Sequence, residues 1–175
     1  MKCSRLAALA LILSGARASA STELIVTAGG GVGREGGALG CLDETGTGSC
    51  PSTRPWGALL LGAGIERVSE GGVRGSLRLE GNLGFGQLHN RDVHLVGVAG
   101  WQGERLILEG GLGSALLWNA EHDPALGGLF HLGLGVRILP ALSALVRLDA
   151  IISDDRRPYF FGLALEYRPL FRAGP

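Results

Sequence analysis

The sequence is short of several features that define common protein classes. It contains a single lysine, one methionine and only 6% aromatic residues, and its sixteen acidic residues cancel its sixteen basic ones. Without a basic surplus, the chain lacks the positive charge that nucleic-acid binding requires. Beyond the N-terminus it also lacks an apolar run approaching the roughly 20 residues of a membrane-spanning helix. We therefore expect neither a nucleic-acid-binding protein nor a helical membrane protein.

The first twenty residues have the three parts of a secretory signal peptide. Lys2 and Arg5 precede the apolar stretch from Leu6 to Leu13, and the small residues Ala18-Ser19-Ala20 follow it. We predict that residues 1–20 are removed and that residues 21–175 form one domain. Thirteen basic and sixteen acidic residues then remain, which gives the mature chain a net charge of −3.

Two cysteines remain after the predicted cleavage, because Cys3 lies in the signal peptide. Cys41 and Cys50 flank the polar segment LDETGTGS. In an exported chain, a close pair of this kind predicts a disulfide, and two unpaired thiols are the alternative. No histidine or second cysteine pair lies near them, so we do not expect a metal site.

Alternation of apolar and polar residues is the signal that repeats along the chain. It is clearest from Val73 to Phe85, where Leu77 and Leu79 share a face with other apolar residues while Arg78 and Glu80 lie on the opposite one. Such a period of two predicts strands, and several exceed the usual strand length of about 5–6 residues. We predict eight strands: Leu24–Val32, Ala58–Val68, Val73–Phe85, Val93–Trp101, Leu106–Trp118, Phe130–Ile138, Leu142–Ile152 and Tyr159–Phe171.

The connections between these strands alternate between long and short, beginning with the long 34–55 segment. Outer-membrane barrels have long outer loops and short periplasmic turns in this order. Strands of about 9–11 tilted residues also match the length of a bilayer crossing. The sequence thus predicts an all-β fold, an eight-stranded antiparallel up-and-down transmembrane β-barrel.

Three features predict that the apolar face meets lipid and the polar face lines the lumen. The polar face is rich in glycine, which leaves room for long neighbours in a narrow lumen. Its charges nearly balance, so we predict a lumenal network of Glu66, Arg74, Arg78, Glu80, Glu109, Arg137, Arg147, Asp149, Glu166 and Arg168. The aromatic residues lie towards strand ends, as in the interfacial girdles of membrane barrels. These girdle residues are Phe85, Trp101, Trp118, Phe130, Tyr159, Phe161, Tyr167 and Phe171.

Trp56 and Phe160 break the alternation, and a bulge near Trp56 would restore it.

On this pattern the chain resembles the small eight-stranded outer-membrane barrels of Gram-negative bacteria, the OmpA/OmpX type. Its closing segment FGLALEYRPLF is similar to the C-terminal signal that the barrel-assembly machinery reads, although four residues follow Phe171. The resemblance implies an outer-membrane location, contact with membrane lipid and lipopolysaccharide, and recognition by that machinery during biogenesis. We expect a monomer.

Motifs that could carry chemistry are weak in this chain. Gly31, Gly33 and Gly36 spell GxGxxG, but the following GGALGCLDETGTGS cannot form the helix that a dinucleotide site needs. The histidines at 89 and 122 have acidic neighbours but no nucleophile paired with them, as acyl transfer would require. His131 is predicted to hydrogen-bond within the lumenal network. We expect no catalytic residue, no cofactor and no metal.

The sequence-based hypothesis is a non-enzymatic barrel with a salt-bridged, largely plugged lumen that displays surface loops for adhesion, defence or envelope integrity. Three alternatives stay open: a narrow channel for small solutes, a lipid A-modifying barrel enzyme, and a secreted lipocalin-like binder. Acidic loop residues such as Asp154 and Asp155 could meet bridging cations, and the neighbouring Arg156 and Arg157 could contact lipid phosphates. We favour the simpler interpretation that these charges are solvated by water.

Overall fold

The structure is a computed structural model, and it describes residues 22–35, 55–85, 91–118, 123–153 and 157–169. The predicted signal peptide, the predicted Cys41–Cys50 disulfide and the girdle residue Phe171 lie outside these ranges. Among the residues within them, no helix is long and apolar enough to cross a membrane.

Eight antiparallel strands close into one barrel, as the alternation predicted. Each strand pairs with the next in the chain, and the first pairs with the last from Val26–Tyr167 to Glu35–Pro158. Closure leaves no strand without two neighbours, which satisfies the backbone hydrogen bonds along both edges. The strands are β1 Thr22–Glu35, β2 Pro55–Val68, β3 Val73–Phe85, β4 Arg91–Gln102, β5 Leu106–Trp118, β6 Ala125–Leu139, β7 Leu142–Ile152 and β8 Pro158–Tyr167.

Two strand boundaries differ from the prediction and change where residues lie within their strands. β6 begins at Ala125 rather than at Phe130, because Gly127 and Gly128 continue the ladder to β5 and β7. Phe130 therefore lies five residues inside the strand and not at its end, as the girdle prediction assumed. β8 ends at Tyr167, four residues earlier than predicted, with Pro169 just beyond it.

The short turns all lie at one end of the barrel and support one another. Gly72, in the turn between β2 and β3, has a φ of 80°, a conformation that favours glycine. Its carbonyl accepts a 2.7 Å hydrogen bond from the Gln102 amide, at the start of the turn between β4 and β5. The Trp101 ring lies beside Gly72 and Gly103, so one aromatic residue covers two neighbouring turns.

The two faces of the barrel differ sharply in chemistry. Outward positions carry leucine, valine, isoleucine, aromatic and small residues, and many of the leucines are about half exposed or more. On the described strands, charged side chains face outward only at the ends, at Arg34, Arg67 and Arg91. Inward positions carry glycines, some apolar residues and almost all of the strands' other charges. The apolar surface is thus on the outside, the reverse of a water-soluble barrel.

Trp56 and Phe160 follow the alternation after all, and they do so without a bulge near Trp56. The ladder between β1 and β2 is regular there, with Gly33 opposite Trp56. Both rings point into the barrel, where they are 4% and 2% exposed and pack with Ala58. Glycine makes this possible, because the Trp56 ring lies over Gly33 and the Phe160 ring over Gly31 and Gly162.

Candidate functional site

The candidate site is the charged interior of the barrel. Four arginines and six carboxylates are buried there, each at most 6% exposed. The arginines are Arg74, Arg78, Arg147 and Arg168, and the carboxylates are Glu66, Glu80, Asp92, Glu109, Asp149 and Glu166. All but Arg168, which directly follows β8, lie on strands, and they reach the lumen because each occupies an inward-facing position of its strand.

Towards the short turns, the arginines and glutamates form a dense cluster. Arg74 forms an ion pair with Glu66 and lies 3.0 Å from Glu166 on β8. Arg168, just after β8, donates from Nε to Glu66 at 2.6 Å and from Nη2 to Glu166 at 3.1 Å. Glu66 and Glu166 are thus each shared between the guanidinium groups of Arg74 and Arg168, which compensates for the loss of water around them.

Arg78 and Glu109 extend this cluster along the barrel. Arg78 donates two parallel hydrogen bonds to Glu109, of 3.1 and 2.9 Å. A further ion pair of 2.8 Å joins Arg78 to Glu166. The paired geometry with Glu109 is the bidentate arrangement that makes arginine–carboxylate contacts strong.

A second cluster centres on Arg147 of β7. Its two terminal nitrogens donate to Glu80 of β3 at 3.1 and 2.7 Å, and Nη2 also reaches Asp149 at 3.0 Å. Because β3 and β7 are four strands apart in a ring of eight, this contact crosses the barrel. An interior this narrow is just wide enough for side chains to fill.

Two histidines connect these groups, and each lies between two carboxylates. His94 contacts Asp92 through Nδ1 at 2.7 Å and Glu80 through Nε2 at 3.3 Å. His131 contacts Asp149 through Nδ1 at 2.5 Å and Glu109 through Nε2 at 2.9 Å. His131 therefore joins the Arg147 cluster to the Arg78 cluster, and the interior becomes one continuous network.

The charge count of this network is balanced only if both histidines are cations. Six carboxylates face four guanidinium groups, which leaves two negative charges. An ionised carboxylate only accepts hydrogen bonds, so an imidazole between two of them donates from both nitrogens. Two imidazolium ions supply the two missing positive charges. The half-buried Glu23 and Arg137 add one charge of each sign.

Glycines on the inner face make room for the network. A Cβ at Gly62 would lie 2.5 Å from Cγ of Glu80, and one at Gly133 would lie 2.7 Å from Cγ of Glu109. Each glutamate thus crosses the backbone of the neighbouring strand. The role expected for glycine from the sequence, as space for long neighbours, is realised at these two positions.

Apolar side chains fill much of the remaining interior. One cluster comes from β4 to β7 and comprises Val96, Val98, Ala115, Leu117, Leu129 and Ile151. A second comprises Trp56, Ala58 and Phe160, close to the long-connection end of β2 and β8. The charged side chains of the lumen are almost completely inaccessible to solvent. The described part of the interior is therefore packed with side chains and not filled with water.

Nine of the ten residues predicted for the lumenal network are buried and joined by these contacts. The exception is Arg137, which lies half-buried near the short turns, takes part in none of these ion pairs, and has a buried Nε without a hydrogen-bond partner. The prediction missed Asp92 and His94, although both have the inward parity of β4. Within the described ranges, no group of three or more potential metal ligands occurs.

The predicted girdle residues that the structure describes all face outward. Phe85, Tyr159 and Phe161 lie towards the long-connection end, and Trp101 and Tyr167 towards the short turns. Trp118, opposite Arg91 at the end of β5, is half-buried. Phe130 also faces outward but within the strand, as noted above.

A closed eight-stranded barrel with an apolar exterior and a salt-bridged interior defines the class of small outer-membrane β-barrels. No family model and no curated protein matches the sequence. Several solved structures do match, and outer-membrane β-barrels are among them.

Three of these structures illustrate the match. Neisserial surface protein A is 10% identical, with a TM-score of 0.56, over 85% of this chain and 99% of its own. Ail of Yersinia pestis, solved in complex with the heparin analogue sucrose octasulfate, is 14% identical, with a TM-score of 0.57, over 85% and 99%. The N-terminal barrel domain of Pseudomonas aeruginosa OprF is 14% identical, with a TM-score of 0.55, over 83% and 97%. At these identities the likeness concerns the fold.

Proposed function

We propose that the protein is a non-enzymatic, non-conducting barrel of the outer membrane that holds its four long connections at the cell surface. The observation that carries the proposal is the distribution of charge. Outward side chains between the strand ends are uncharged and, apart from Ser114, apolar, whereas the inward charged side chains form a buried ion-pair network. In water this arrangement would expose a large apolar surface, whereas in a bilayer the same surface is solvated by acyl chains.

The packed interior supports a structural role and argues against a channel. Arg147 and Glu80 bridge opposite walls, and apolar clusters occupy other parts of the lumen. An ion could pass through the lumen only by breaking buried ion pairs. Breaking one such pair costs about 3–5 kcal/mol. The long connections are then the part of the chain available for adhesion, defence or envelope integrity.

The histidine contacts argue against acid–base catalysis in the interior. Both ring nitrogens of His94 and of His131 contact carboxylates. Neither ring has a nitrogen free to accept a proton from a nucleophile, as general base catalysis needs.

Recordings in planar bilayers test the proposal directly. Purified, folded protein should give no steady conductance steps, and an open porin in the same bilayer is the positive control. The variant Glu80→Ala/Arg147→Ala, which removes the bridge across the lumen, should raise the leak if it still migrates as a folded barrel. Steady conductance of the unaltered protein would contradict the proposal and would indicate a narrow channel instead.

Location and enzymatic activity need separate measurements. In a Gram-negative host, the protein should fractionate with the outer membrane and need detergent for extraction. Recovery from the periplasm without detergent would favour a secreted lipocalin-like binder. Mass analysis of lipid A should show no difference between cells with and without the protein, and a new acylation state would favour a lipid-modifying enzyme.

A further inference from the structure

The two rims of the barrel differ in exposed charge. At the short-turn rim, the exposed charged residues that the structure describes are Arg67, Glu70, Glu104 and Arg105, two of each sign. At the long-connection rim they are Arg34, Arg91, Arg157 and Asp123, which gives a net charge of +2. Among the described residues, the long-connection rim, above the apolar band, thus has an excess of positive charge that the short-turn rim lacks.

Two of these arginines lie together at the seam where the barrel closes. Arg34 near the end of β1 is directly opposite Tyr159 of β8, and Arg157 precedes Tyr159 by two residues. Side chains directly opposite in an antiparallel ladder are about 5 Å apart at Cβ, and diagonal ones about 7–8 Å. Two long guanidinium side chains at this spacing can reach one anion between them.

Neither guanidinium group is used inside the protein as far as the described residues extend. No ion pair joins Arg34 or Arg157 to another described residue, in contrast to the arginines of the lumen. The Tyr159 ring is 36% exposed and lies beside Arg34 in the ladder.

The surface directly below this cluster is apolar. Val32 is opposite Phe161, and the next outward pair is Gly30 with Leu163. The exposed fractions of Val32, Phe161 and Leu163 are 56%, 52% and 65%. Gly30 leaves a shallow depression between Leu59 and Leu163, its neighbours on β2 and β8. A ligand at this seam meets two cations first and a hydrocarbon surface below them.

We propose that Arg34, Arg157 and Tyr159 bind the phosphate group of a membrane lipid whose acyl chains lie on Val32, Phe161 and Leu163. Arginine suits this role because its planar fork makes bidentate contacts with phosphate. The apolar surface below favours a lipid over a soluble anion, which would gain nothing from it. This inference rests on the proposed membrane location.

Binding is measured with the full mature chain, folded in a neutral detergent. The probe is dioleoyl phosphatidate, followed by the concentration dependence of its retention in native mass spectra. Dioleoylglycerol has the same chains without the phosphate, and inorganic phosphate and sucrose octasulfate are anions without chains. Phosphatidate should bind at least about tenfold more tightly than dioleoylglycerol, a difference of about 1.4 kcal/mol.

Two double variants that each remove two positive charges distinguish binding at the seam from an effect of the overall charge of the barrel. Arg34→Gln/Arg157→Gln should abolish the preference for phosphatidate. Arg91→Gln/Arg105→Gln removes two arginines elsewhere and should keep the preference within about twofold, less than 0.5 kcal/mol. Heat-dependent gel mobility checks that both variants are folded.

Three results would overturn the inference: no preference for phosphatidate, equal loss in both double variants, or equal binding of inorganic phosphate or sucrose octasulfate. The last would indicate a site for soluble anions. Because the titration is done in detergent, its failure leaves the membrane location standing. Recovery of the protein from the periplasm without detergent would instead refute the location itself.

Discussion

Glu80 and Arg147 face each other from opposite walls of the barrel, joined by hydrogen bonds of 3.1 and 2.7 Å. They are 67 residues apart in the chain, and both are almost fully buried. This bridge fixes the distance between β3 and β7, and it anchors the carboxylate that His94 also contacts. The stability of the barrel should therefore depend on it.

Replacing Arg147 with methionine should destabilise the barrel strongly. The change leaves Glu80 and Asp149 buried with less compensating charge, and breaking a buried ion pair from one side costs about 3–5 kcal/mol. Urea unfolding of the protein in detergent micelles, followed by tryptophan fluorescence, measures the loss. Arg105→Met, at an exposed turn, is the control and should change stability by less than about 0.5 kcal/mol. Equal stabilities would mean that the network is not needed.

Leu79 and Leu139 test the outer face at two depths. Both are 58% exposed, but Leu79 lies in the middle of β3 and Leu139 at the end of β6. Leu79→Arg should cost about 2–4 kcal/mol, whereas Leu139→Arg should cost about 0–1 kcal/mol, because the penalty for a charge falls towards the interface. Unfolding from lipid vesicles measures both. Equal costs would argue against a bilayer around the middle of the barrel.

Two glycines on opposite faces test the packing of the lumen. Gly62→Val should push Glu80 out of its place and cost about 1–3 kcal/mol, as overpacking does. Gly75→Val is the matched change on the outer face, where a Cβ would meet nothing within 4 Å. It should be neutral or slightly stabilising, since glycine weakens a strand interior. If both variants unfold at the same urea concentration as the parent, the lumen is less tightly packed than described.

Both lumenal histidines should be imidazolium ions at neutral pH. His94 and His131 each contact two carboxylates, and with all six carboxylates ionised the network is neutral only if both rings are protonated. Nitrogen-15 spectra of histidine-labelled protein in micelles should show two protonated ring nitrogens for each of them. A neutral ring at either position would contradict the charge balance.

Much of the fold could be predicted from the sequence because apolar and polar residues alternate with a period of two along a strand whose two faces differ in environment. The inward parity of Arg74, Arg78 and Arg147 follows from alternation alone. The ion-pair partners of these arginines cannot be predicted in this way. Glu80 contacts Arg147 because closure of the barrel and tilt of the strands bring β3 and β7 to the same level. Local sequence determines neither the closure nor the tilt. The inward placement of Trp56 and Phe160 could not be predicted from their own residue type, because it depends on space that glycines of the neighbouring strands leave inside the barrel.

The central claim is that the outward leucines meet acyl chains while the inward leucines are sealed in the lumen. Methyl spectra of the protein in nanodiscs with spin-labelled acyl chains test it most directly. The methyl signals of Leu79, Leu112 and Leu163, which face outward, should be broadened strongly, and those of Leu60 and Leu145, at 0% and 1% exposure, should persist. Broadening of the lumenal leucines, or outward leucines that respond to a water-soluble spin label instead, would contradict the account.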